Sequence, residues 1–171
     1  LGLLVVRFDQ ADALAFDTAD VLAKHRLRRS AIDGQRHALF AVVDVAKGAS
    51  GRFTYAQLER RANRLAAWLA GAGLRRGDRV GILALNGVEV LDALFACAKL
   101  GAVLVPYNWR LHAAELGELV RRTTPAVMLY SDELGPLCAE ALREGAVRPW
   151  LVHLEGEGLP GSIPYAIALE V

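Results

Sequence analysis

The chain has 171 residues, 54% of them hydrophobic and 7% aromatic, with a formal net charge of +1. That length suits one domain or one lobe of a larger one, and so much aliphatic material fits a buried core and argues against disorder. A charge this close to zero gives no electrostatic case for nucleic acid or an acidic membrane surface.

No apolar run reaches the roughly 18 residues that a membrane-spanning helix needs. The opening stretch, Leu1 to Phe8, is apolar but has neither a basic leader nor a cleavage-like tail, so it does not read as a signal peptide. A cytoplasmic location is expected. Cys97 and Cys138 have no metal-ligand spacing, which predicts buried free thiols in a reducing compartment. His25, His37, His112 and His153 form no i, i+4 pair, so no metal site is expected.

In chain order, residues 1–20 carry little pattern. Thr18 to Arg29 predicts a helix whose basic tail complements the helix dipole. Ala38 to Val45 predicts a strand, Lys47 to Gly51 a turn, and Arg52 to Thr54 the returning arm of a hairpin. This divides the chain into a lead-in over 1–50, a core lobe over 51–155 and a Gly/Pro-rich linker with an unfinished segment over 156–171.

The core lobe is the most strongly patterned part. Thr54 and Gln57 have the spacing of a capping box, and Leu58, Ala62, Leu65 and Leu69 then recur on one helical face. Arg60, Arg61 and Arg64 lie mostly off that face. Gly71 and Gly73 end the helix, and Gly77-Asp78 marks a turn. Val80 to Leu85 predicts a strand covered on both faces. Asn86 and Glu89 predict the cap of a second helix, with Val88, Leu91, Phe95 and Ala98 inward and Gly101 closing it. Ala102 to Val105 predicts a second buried strand, stopped by Pro106. His112 to Thr123 predicts a third helix with a weak cap at its start and Leu116, Leu119 and Val120 inward. Ala126 to Tyr130 is a third strand, Ser131 or Asp132 caps a fourth helix, and Trp150 to Leu154 is a fourth strand. Strands that alternate with helices predict an α/β fold, a mostly parallel βαβ-type sheet flanked by helices.

Three segments of this lobe carry a resemblance. Phe53-Thr54-Tyr55-Ala56-Gln57-Leu58, Lys99-Leu100-Gly101-Ala102-Val103-Leu104-Val105-Pro106 and Tyr107-Asn108-Trp109-Arg110-Leu111 resemble, in order and spacing, signatures from the N-terminal portion of the AMP-binding, adenylate-forming acyl-CoA synthetases. The likeness covers roughly residues 20–155. It departs at Gln57, where the family usually has Glu, at Trp109, where it often has Pro, and at His112, where Thr or Ser is usual. The resemblance implies activation of a carboxylic or fatty acid through an acyl-adenylate and then transfer to CoA. ATP, Mg2+ and CoA are the implied cofactors of the complete enzyme. It also implies that Arg110 approaches the CoA phosphates, a contact that a guanidinium suits through charge-assisted bonds. The simpler alternative is that Arg110 ties its loop to a neighbouring carboxylate.

The family's chemistry rests on a Ser/Thr/Gly-rich phosphate loop ending in Pro-Lys, a Tyr-Gly-x-Thr-Glu segment, a ribose-binding Asp and a C-terminal Lys. None of these occurs in residues 1–171. No catalytic residue is expected here, and no cofactor is expected to bind this chain tightly. Gly71-Ala72-Gly73 does not substitute: it precedes a strand, whereas a dinucleotide fingerprint follows one. There is no Walker-type phosphate loop and no Gly-x-Ser-x-Gly elbow. The alternative reading is a non-catalytic family member that serves as an interaction or dimerisation module through an uncovered apolar face.

Overall fold

The computed structural model describes residues 40–43, 51–143 and 147–170. The helix expected over Thr18 to Arg29 lies outside these. Two short antiparallel strands, β1 (Phe40–Val43) and β2 (Arg52–Thr54), form the expected hairpin. Helix α1 (Tyr55–Gly71) follows directly. Its capping box is complete. Thr54 N–H donates to Gln57 Oε1 (2.8 Å) and Gln57 N–H donates to Thr54 Oγ1 (3.2 Å), so two orphan amides are satisfied reciprocally. Leu58, Ala62, Leu65 and Leu69 are buried, as their spacing predicts.

Five parallel strands then form one sheet: β3 (Arg79–Leu83), β4 (Val103–Pro106), β5 (Val127–Tyr130), β6 (Trp150–His153) and β7 (Ile163–Pro164). Their spatial order is β4-β3-β5-β6-β7. Helices α2 (Val88–Leu100), α3 (Ala113–Thr123) and α4 (Gly135–Arg143) carry the crossovers, and α5 (Tyr165–Ala168) follows β7. A short 3-10 turn over Asp132–Leu134 leads into α4.

The strand order explains the layering. The chain steps outward from β3 to β4, then returns past β3 to β5. Crossovers of one hand must therefore use opposite faces before and after that reversal. Val80, Ile82, Val127, Leu129 and Val152 pack with α1, α2 and α5 on one face. Leu83, Met128 and Tyr130 pack with α3 and α4 on the other. Gly81 on β3 leaves space that a side chain would deny, since a Cβ there would lie 2.7 Å from Cε2 of Tyr107.

Several sequence expectations are corrected. The cap of α2 is Gly87, not Asn86, so the cap residue itself has no side chain to offer the first turn. The inward face of α2 is Val88, Asp92, Ala93, Ala96 and Cys97, whereas Ala98 is exposed and Leu91 and Phe95 are half-buried. Small residues are selected there because the helix lies close against α1 and the sheet. Strand β4 is an edge strand and not a buried one, with Val103 49% exposed. Pro106 belongs to β4 and lacks an N–H, which reduces what that edge offers to another strand. Leu119 points outward. The stretch after Glu155, which reads as a linker, folds back and contributes β7 to the sheet.

Candidate ligand-facing edge of the sheet

Because all five strands are parallel, their C-terminal ends share one edge, where open α/β sheets bind ligands. The loops there are residues 84–87 after β3, 107–112 after β4, 131–134 after β5 and 154–162 after β6. The order reverses between β3 and β5. The backbone seals the start of that crevice: Ser131 N–H donates to the Leu83 carbonyl (3.0 Å) and Leu154 N–H to the Tyr130 carbonyl (2.9 Å).

Arg110 sits on the loop after β4, exposed, on the outer strand of this edge. The loop is built to hold one shape. Tyr107 is buried and its hydroxyl shares a hydrogen bond with Thr123 Oγ1 (2.5 Å). Burial pushes the Tyr107 phenol above its ordinary pKa. Asn108 Oδ1 accepts from the Arg110 N–H (3.0 Å), and Leu111 N–H donates to the Asn108 carbonyl (3.2 Å). Such a turn is typical of Asn. The Arg110 guanidinium carbon lies 4.6 Å from the Trp109 ring centroid, within cation–π range. Trp109 is half-buried and packs against the core on the α3–α4 face, so it serves this lobe's own packing.

At the start of α3, Glu115 Oε2 accepts from the His112 N–H (3.1 Å). This charge-assisted bond firms the helix start despite the unusual cap residue.

The long crossover over 154–162 is fastened by four polar side chains that sequence reasoning did not bring together. Asp132 Oδ1 accepts from the Gly158 N–H (2.9 Å) and Tyr130 Oη from the Leu159 N–H (2.7 Å). His153 Nδ1 lies 2.8 Å from Ser162 Oγ, while that hydroxyl donates to the Leu159 carbonyl (2.6 Å). The Ser162 proton is thus already committed, so Nδ1 of His153 carries the hydrogen and this pair is not a nucleophile with its base. Gly158 has φ +68°, and a Cβ there would fall 2.2 Å from His153 Nδ1. No local sequence pattern announces this clasp, since its hydrogen-bonded partners lie up to 29 residues apart.

The charge of the edge limits what this lobe holds by itself. Its four loops contain one Arg (Arg110) and no Lys, against Asp132, Glu133, Glu155 and Glu157. A nucleotide triphosphate needs several cations or a metal in a preorganised cradle. Arg110 fits a single phosphate contact, whereas the loops together do not form a polyphosphate cradle. Among the described residues no cluster of His, Cys, Asp and Glu could hold a metal ion. Cys97 and Cys138 are buried and free, with burial pushing their thiols up to about 11 and about 12, so neither is an activated nucleophile. No helix among the described residues is long and apolar enough to cross a membrane.

Comparison with known proteins agrees with this layout. The family described as AMP-binding enzyme matches residues 28–160. A fatty acid–[acyl-carrier-protein] ligase of Streptomyces coeruleorubidus is 44% identical over 84 residues, which is 49% of this chain and 16% of that protein. A long-chain-fatty-acid–CoA ligase of Mycobacterium tuberculosis is 38% identical over 104 residues, 58% of this chain and 21% of its own length. Among solved structures, the N-terminal domain of FACL13 from M. tuberculosis superposes with TM-score 0.64 at 33% identity, covering 78% of this chain and 32% of that one. The anthranilate CoA ligase AuaEII superposes with TM-score 0.67 at 26% identity, covering 71% of this chain and 24% of that one. The chain spans about a fifth of the length of the curated relatives it matches. It belongs to the AMP-binding enzyme family and corresponds to the N-terminal portion of that family.

Proposed function

We propose that this chain is the scaffold lobe of an ATP-dependent ligase that joins a carboxylic acid, fatty or aromatic, to the thiol of CoA. The observation that carries the reading is the family match over residues 28–160 together with the parallel sheet it folds into. ATP with Mg2+ supplies the driving force in the complete enzyme, and CoA supplies the accepting thiol. This chain's own part is structural and positional. Its sheet sets the floor on which the remaining polypeptide builds the nucleotide site. Arg110, fixed by Asn108 and stacked on Trp109, provides one guanidinium for the CoA phosphates. The ATP-binding and catalytic groups come from outside these 171 residues, and the acidic balance of the edge loops supports that division. A cytoplasmic setting fits the reduced, buried thiols.

The test is thioester synthesis by the complete polypeptide, assayed with ATP, Mg2+, CoA and a panel of fatty and aromatic acids. Acid-dependent release of AMP together with acyl-CoA is expected. A complete polypeptide that forms no thioester with any acid, yet is folded and dimeric, would leave an interaction module as the function instead.

A further inference from the structure

Three elements meet at one buried carboxylate. Asp92 lies on the inward face of α2 with no exposed surface. Its Oδ2 accepts from Arg61 Nε of α1 at 2.9 Å and lies 2.6 Å from a terminal nitrogen of the same guanidinium as an ion pair. The same oxygen accepts from the Tyr165 hydroxyl of α5 at 2.8 Å. Asp92 Oδ1 is buried and has no hydrogen-bond partner. Arg61 also lies over the Phe53 ring, 5.1 Å from its centroid, and 3.8 Å from Glu89.

This arrangement costs more than apolar packing would. A buried ion pair is on balance neutral or unfavourable beside well-packed hydrophobic residues, and an unpartnered buried oxygen adds to that cost. The rest of α2's inward face is small and apolar, so an apolar residue at position 92 would fit the pattern. What the carboxylate does that an apolar residue cannot is specify direction. Donors from α1 and α5 converge on one oxygen, so α5 can dock in only one register against α1 and α2.

Beyond this node the segment is held by the pairing of β7 with β6 and by apolar packing of Ile163, Ala168 and Leu169. Helix α5 has four residues and β7 has two. Of the side chains in α5, Tyr165 and Ala168 are buried, and Ile167 is 47% exposed. We infer that the Arg61–Asp92–Tyr165 node is a positioning latch that sets where α5, and with it the fifth strand, leaves the lobe. Asp92, Arg61 and Tyr165 act through geometry and lie outside the edge loops assigned above to ligands. The inference therefore stands or falls apart from the ligase reading.

The experiment is amide hydrogen exchange on the 171-residue chain carrying Tyr165→Phe, which keeps the ring in the core and removes only the hydroxyl. The reporters are the amides of Leu169 and Glu170, which bond to the carbonyls of Tyr165 and Ile167. A latch predicts that they exchange about tenfold faster or more, the effect of losing a hydrogen bond to a charged group, while the amides of α1 and β3 keep their wild-type rates. In the double variant Asp92→Ala with Tyr165→Phe, the second change should add less than about twofold to the first, since both remove the same contact. Unchanged exchange at Leu169 and Glu170, or equal acceleration throughout the sheet, would overturn the latch. So would full additivity of the two substitutions.

Discussion

Asp92 is a carboxyl group buried without exposed surface, against the habit of its type. Burial raises its pKa, while the hydrogen bonds and charge of Arg61 and the hydroxyl of Tyr165 pull against that rise. The native chain therefore holds this proton to a higher pH than the unfolded chain does. Between the ordinary carboxyl value and the raised one, native protein binds more protons than unfolded protein, so this group's contribution to stability falls as pH climbs. Asp92→Asn removes that titration. Urea melts from about pH 4 upward should show the stability of the variant gaining on wild type with rising pH. A gap moving the other way would mean that Arg61 outweighs burial. At the ligand-facing edge, Arg110→Ala in the complete ligase should raise KM for CoA about tenfold, the worth of one charge-assisted bond, with a smaller change in kcat. An unchanged KM would remove Arg110 from CoA recognition.

At the level of elements, the start of α1 rests on a single reciprocal pair. Thr54→Ala removes the hydroxyl that accepts from the Gln57 N–H while leaving the return bond from the backbone of residue 54, and should cost about 1 kcal/mol in a denaturant melt. The same helix shows what sequence makes legible: Leu58, Ala62, Leu65 and Leu69 repeat with helical period on an otherwise polar segment, so the inward face is unambiguous. Helix α2 is apolar almost all round, and its periodicity leaves the inward face open. The inward place of Asp92 has no local signal, because its partners are 31 and 73 residues away. Strand β4 reads as buried from its composition, yet it lies at the edge, because strand order is a property of the whole sheet. Strand β7 was not readable at all, since two residues carry no alternation. At the candidate site, Arg110 was reachable through the Asn-Trp-Arg segment, whereas the Tyr130, Asp132, His153 and Ser162 clasp is assembled only by the fold.

On the scale of the molecule, sheet and helices complete a doubly wound lobe, and the loops that face ligands carry more carboxylates than cations. The charge at Glu118 makes the same point about where strong electrostatics lies. Arg121 and Arg122 hold its carboxyl down to about 2, but this cluster lies on the solvent side of α3 and outside the edge loops. Its effect should fade with salt. The most direct test of the division between scaffold and chemistry is carboxylate-dependent ATP–pyrophosphate exchange by the purified 171-residue chain, run beside the complete ligase. Exchange at background for this chain, with activity in the complete enzyme, is the predicted result. Robust exchange by the 171 residues alone would show that the active site lies within them and would contradict the division.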